Sequence, residues 1–303
     1  MSTDSTHQTA PNLFIDAPNG IRYAYRRFGK ATGVPLVFLQ HFRGTLDNWD
    51  PFLTDSIARE REVILLDNVG VGLSSGTTPN TVAQMARDAI VFLDALALSQ
   101  VDLLGFSLGG FVAQEIALLR PKQVRKLVLA GTGPQGGPLM HGWRQDIADA
   151  ARTPELGGAE LSYVFFPHTE AGRANGMEFL SRFLLRSVDR DVPSEDLATR
   201  DAQYDAVVDW GVPDHNKLQR LASIEQPTLA ANGSNDLMIP TRLTHLLGAL
   251  IPNAESGFIR MPRTAFCGST RRNSAKTSMP SWDRGRLANS CRSRTRCHIL
   301  RYG

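Results

Sequence analysis

Ser107 stands in Gly105-Phe106-Ser107-Leu108-Gly109, between the apolar run VDLL and the amphipathic stretch LGGFVAQEIALLR. A serine with a glycine two residues away on either side suits nucleophilic attack from a sharp strand-to-helix turn. Such a turn strains the serine backbone, and small neighbours let the chain pass without clashes. The hydroxyl is then lifted to the carboxyl edge of a sheet. The Leu108 N–H, at the start of the helix, points at the same spot and suits an oxyanion. A bare G-x-S-x-G is common by chance; its place after an apolar strand and before an amphipathic helix gives this one its weight. The hydroxyl is a weak nucleophile until a base takes its proton, and a carboxylate must orient that base.

The elements that would hold these groups are legible as short apolar runs. PLVFL (35–39), REVILLD (61–67), VDLLGF (101–106), KLVLAG (126–131) and PTLAANG (227–233) read as strands buried on both faces. NGIRYAYRRFG alternates apolar and polar after an Asn-Gly turn signal and reads as a strand of an early hairpin. Between the runs lie helical patterns, with Val82, Met85, Ala86, Ala89, Ile90 and Leu93 on one stripe. Alternating strands and helices mean a mostly parallel α/β sheet. The spacing predicts a core over 12–133 and 218–256. A helical insertion, a cap, interrupts it over 134–217, and residues 1–11 read as a disordered tail.

In combination these segments resemble the α/β-hydrolase family, of the serine hydrolase or esterase type, over roughly residues 14–256. LVFLQHFRGTLDNWDP resembles the family's oxyanion loop, with Gln40-His41 where a His-Gly pair is usual and Phe42 after it. The resemblance makes the Phe42 N–H the second oxyanion donor beside Leu108, and puts His41 within reach of a substrate. DNVGVGLSS (67–75) resembles a family turn that supports structure. PTLAANGSNDLMIPT resembles the segment carrying the triad acid, which falls on Asp236. Aspartate is also a common turn residue, so a purely local role for Asp236 stays open.

The base is missing from its expected place. In the family order it follows the acid by one more strand, yet IPNAESGFIRMPRTAFCGST holds no histidine. After Asp236 only His245, in a helical pattern, and His298, in a patternless stretch, remain. His7 lies in the tail, and His141, His168 and His215 read as surface or packing residues of the insertion. Composition changes at the same point. Residues 257–303 hold ten Arg and one Lys against Asp283 alone, and all three cysteines; the rest holds 22 bases and 29 acids.

Back-translating from Phe258 and reading one base earlier permits Tyr-Pro-Asp-Ala-Ser-His-Gly-Phe-Leu, with a His codon across Arg263/Thr264. That string resembles the family's catalytic-histidine loop. Arg272 to Trp282 likewise permits Glu-Phe-Gly-Glu-Asp-Val-Asn-Ala-Phe-Leu, whose apolar residues share one helical face. The expectation is that 257–303 is an irregular, out-of-frame extension. The chain would then lack the family's last strand and closing helix, expose an edge of its core, and be nearly inactive.

The resemblance implies an enzyme, a hydrolase of carboxylic esters or lactones working through an acyl-serine. A cofactor-free haloperoxidase or perhydrolase, and a non-catalytic binding protein on the same fold, are the alternatives. No cofactor and no metal are implied, since the cysteines lack zinc spacing. Trp143, Tyr163, Phe165 and Phe166 are candidates for contacting a small-molecule substrate, and equally for core packing. No run reaches the roughly 18 apolar residues of a membrane span, so a cytoplasmic protein is expected. Nucleic acid is not an expected partner, because the patterned part of the chain is acidic. Substrate identity and oligomeric state are not legible.

Overall fold

The computed structural model describes residues 5–193 and 196–259. Eight strands form one sheet: β1 (Leu13–Asp16), β2 (Arg22–Gly29), β3 (Leu36–Leu39), β4 (Glu62–Leu66), β5 (Val101–Phe106), β6 (Val124–Ala130), β7 (Thr228–Gly233) and β8 (Ala254–Ile259). Their order is β1-β2-β4-β3-β5-β6-β7-β8, with β1 and β2 antiparallel and the others parallel. Every residue of β3, β4, β5 and β7 is buried. Helices on both faces of a parallel sheet impose this, and it explains why those runs are apolar throughout.

Among the described residues the core helices are α1 (Pro51–Ala58), α2 (Val82–Ala95), α3 (Leu108–Leu119) and α9 (Arg242–Leu250). The α2 stripe is buried as its spacing requires, and Thr81 caps it by accepting from the Gln84 N–H. Between β6 and β7 lie α4 (Gln145–Ala151), α5 (Gly158–Phe165), α6 (Glu170–Phe183), α7 (Leu197–Trp210) and α8 (His215–Gln219). No described helix is long and apolar enough to cross a membrane.

Two expectations change. Residues 5–11, expected to be disordered, are pinned: His7 and Ala10 are buried. The His7 N–H donates to Asp55 Oδ1 at 2.6 Å, and Arg186 donates to the carbonyls of His7 and Gln8 at 3.1 and 2.9 Å. A short polar stretch has no periodicity to announce such long-range bonds. The last strand, expected to be lacking, is present. β8 pairs with β7 from Thr228↔Ala254 to Gly233↔Ile259, across the proposed boundary at 257. The family's closing helix, His298 and the irregular extension fall on residues outside the described ones.

A buried carboxyl pair joins the core to the insertion. Asp67, just past β4, and Asp191, between α6 and α7, both accept from the Leu46 N–H, at 2.9 and 2.8 Å. Burial, and then the neighbouring Asp191, push the Asp67 carboxyl well above the ordinary carboxylate range.

Candidate active site

Ser107 sits one residue past β5 with φ 54 and ψ −118. A residue with a Cβ avoids this region, so the serine is held there by its surroundings. Its N–H donates to the Ala130 carbonyl at 2.9 Å; its own carbonyl accepts from Thr132 Oγ1 and the Gly110 N–H, both at 2.8 Å. The flanking glycines are steric necessities. A Cβ on Gly109 would collide with the Leu39 carbonyl, and one on Gly105 with the Gly109 carbonyl. The start of α3 is therefore pressed onto the end of β3, beside the loop that carries Phe42. Leu108 is the first residue of α3, so its N–H has no acceptor within the helix.

The loop after β3 is knitted by its own side chains. Gln40 Oε1 accepts from the His41 N–H at 2.9 Å, and Gln40 Nε2 donates to the Thr45 carbonyl at 3.0 Å. The glutamine thus adds to a backbone turn in which the His41 carbonyl accepts from the Gly44 N–H at 3.0 Å. His41 is buried, its ring edge-on to Phe106 and Phe165 at 5.4 Å each. Its Nδ1 lies 2.9 Å from the Phe42 carbonyl; a carbonyl only accepts, so Nδ1 carries the proton. Burial lowers the His41 pKa to about 4, partly offset by that bond, which makes the ring a weak proton acceptor at neutral pH.

Asp236 lies three residues past β7. Register places it: Phe106, Ala130 and Ala231 lie level across β5, β6 and β7. Parallel strands about 4.8 Å apart therefore put the ends of β5 and β7 about 10 Å from each other on one edge. Asp236 Oδ1 accepts from the N–H groups of Met238 and Ile239 at 2.8 and 2.9 Å. This oxygen does the work of a turn aspartate and fixes the carboxylate plane.

The aromatics of the insertion divide. Trp143 stands edge-on to Phe42 at 5.3 Å and to Tyr204 of α7 at 5.1 Å. Phe165 packs on His41 and Phe106. Phe166 instead packs on Phe179 of α6, and the Tyr163 hydroxyl donates to Asp146 at 2.9 Å; both serve the packing of the insertion. The histidines find partners elsewhere. His245 stacks on Phe258 of β8 at 4.2 Å. His7 Nδ1 meets Thr54 Oγ1 at 3.1 Å, His141 Nδ1 the Val208 carbonyl at 3.2 Å, His168 Nε2 the Tyr163 carbonyl at 3.0 Å and His215 Nε2 Gln219 at 3.0 Å. Among the described residues, no cluster of histidine, cysteine, aspartate and glutamate could hold a metal ion.

A strained serine on a β5–α3 elbow, under a loop from β3 and level with the end of β7, matches a known architecture. A model of the alpha/beta hydrolase fold family covers residues 34–261. The chain belongs to that family. An alpha/beta hydrolase fold protein from Chitinophaga pinensis is 38% identical, with a TM-score of 0.78 over 86% of this chain and 92% of that one. Est816, described as an N-acyl homoserine lactone degrading enzyme, is 25% identical, with a TM-score of 0.62 over 82% of this chain and 91% of its own. The 2-hydroxymuconate semialdehyde hydrolase of Pseudomonas putida is 28% identical over 217 residues, 65% of this chain and 68% of that hydrolase.

Sequence reasoning missed Thr132, whose hydroxyl holds the Ser107 carbonyl, and Arg43 and Gln203, which meet across 160 positions. Only the glycine-flanked serine carried a local signal.

Proposed function

We propose that this member of the alpha/beta hydrolase family is a serine hydrolase of carboxylic esters or lactones. Ser107 attacks the carbonyl carbon, the Phe42 and Leu108 N–H groups receive the oxyanion, and Asp236 orients a histidine. An acyl-serine forms as the alcohol leaves, and water then releases the acid. The observation that carries the reading is the positive φ of Ser107: strain of this kind is kept where a hydroxyl must be presented. The lactone-degrading neighbour supports the choice of substrate class.

The base is the histidine encoded one frame away, across Arg263/Thr264. A family match that reaches residue 261 and a β8 that reaches Ile259 support a frame change near the end of that strand. The gap of about 10 Å between the ends of β5 and β7 is one that an imidazole hydrogen-bonded on both sides closes.

The test has two arms. Sequencing the gene across codons 250–303 must reveal the His codon in the shifted frame. Hydrolysis of p-nitrophenyl acetate is then compared in the 303-residue chain, the frame-restored chain and the Ser107→Ala variant of each. The restored chain is expected to exceed the present one by a factor on the order of 10⁴, the usual cost of a missing triad member. Equal rates in the restored chain and its Ser107→Ala variant overturn the hydrolase reading. Fast, serine-dependent turnover by the 303-residue chain overturns the assignment of the base.

A further inference from the structure

Arg43 follows Phe42 in the loop after β3, and its backbone is held at φ 61. Three hydrogen bonds from the insertion hold it there. Its N–H donates to Gln203 Oε1 on α7 at 2.6 Å, and its guanidinium donates to the carbonyls of Thr153 and Pro154 at 2.6 and 2.8 Å.

Gln203 is 1% exposed, and its Nε2 has no hydrogen-bond partner among the described residues. A buried amide nitrogen left unsatisfied is costly, and an apolar side chain of similar size would avoid the cost. Packing therefore does not explain a glutamine here, whereas an acceptor for the Arg43 N–H does.

The loop's successive N–H groups divide in a telling way. That of His41 is taken by Gln40 Oε1 and that of Arg43 by Gln203 Oε1. The Phe42 N–H between them has no partner among the described residues. A peptide unit is planar, so the His41 carbonyl, which accepts from the Gly44 N–H at 3.0 Å, sets the direction of the Phe42 N–H in the same unit. The anchored N–H groups on either side oppose a flip of that unit. Gln40-His41 stands where the family's His-Gly pair is usual, and the loop makes its left-handed turn at Arg43 instead.

We infer that Gln203 is a positioning residue: through the Arg43 backbone it aims the Phe42 N–H at the oxyanion, so that docking of α7 sets the competence of the oxyanion hole. The inference rests on the serine-hydrolase reading and adds to it a control point on the insertion.

The experiment measures binding of phenylboronic acid by the frame-restored chain, in which boron bonds to the Ser107 oxygen, forming a tetrahedral adduct, as the hydroxyl proton passes to the restored histidine. Benzoate, which forms no adduct, serves as the ground-state probe. Gln203→Leu and Gln203→Met remove the acceptor, and Gln203→Glu keeps one. Either apolar variant is expected to bind the boronate about tenfold to a hundredfold more weakly, the range of a misaimed or lost oxyanion donor. Benzoate affinity is expected to stay within about twofold, since a donor used only by the adduct does not contribute to ground-state binding. Gln203→Glu recovers most of the boronate affinity. Boronate binding by the apolar variants equal to that of the parent overturns the inference, as does an equal loss for both probes. If Ser107→Ala binds the boronate as well as the parent does, the hydrolase reading falls and this inference falls with it.

Discussion

Replacing Ser107 by glycine is expected to make the protein more stable, and replacing it by alanine is not. The serine is held at φ 54 and ψ −118, and its side chain makes no capping hydrogen bond to α3. Deleting the hydroxyl therefore removes little that holds the fold together. The backbone conformation is another matter. A residue with a Cβ in such a region costs about 1–3 kcal/mol. Glycine relieves that cost but gains about 0.4–1 kcal/mol of unfolded-state freedom. The difference favours the glycine variant by about 1 kcal/mol. For a chain of this size that is a rise in Tm of about 2–4 °C. Alanine keeps the Cβ and the strain, so its Tm is expected within about 1 °C of the parent. Thermal melts followed by circular dichroism, at one scan rate and pH, read the shift. Urea titration checks it through the midpoint at constant slope. A glycine variant no more stable than the alanine variant would mean that the elbow stores no strain, and the main support for Ser107 as a presented nucleophile would be gone.

Asp236 can be divided into its two roles. Asn keeps an Oδ1 for the Met238 and Ile239 N–H groups, so Asp236→Asn is expected to melt within about 2 °C of the parent. Asp236→Ala loses both bonds and about 1–3 kcal/mol. In the frame-restored chain Asp236→Asn is expected to lower ester hydrolysis by about 10⁴; a loss under tenfold would leave Asp236 a turn residue only. His7 gives a pH test. Burial, helped by the nearby Arg26 charge, lowers its pKa from 6.5 to about 3. Below pH 6.5 the unfolded chain takes up a proton that the folded one refuses, so this contribution is full above 6.5 and is lost as pH falls toward 3. Melts between pH 7 and 4 should show His7→Gln losing less stability on acidification than the parent; parallel losses would mean that the amino-terminal segment is not docked.

The strands were legible where their chemistry is local. VDLLGF predicts β5 to the residue, and the buried stripe of α2 follows from its spacing alone. β8 was not legible, because AESGFI is a poor strand former, and pairing with β7 decides its state. In the site, Ser107 announces itself because the elbow demands glycine on both sides. Gln203 cannot, since a glutamine in a helix looks like any surface residue until the fold brings it to Arg43. The same holds for His7 and Arg186, whose partners lie some 180 positions apart. Local sequence records backbone geometry and burial period; it does not record which buried polar groups meet.

The two carboxyls around the Leu46 N–H have a consequence of their own. Two neighbouring acids in a buried place resist ionising together, and the Asp67 carboxyl holds its proton well above the ordinary carboxylate range. The seam between sheet and insertion is therefore fastened by a particle exchanged with the solvent. Alkali, and not acid, is the agent that would loosen this fastening.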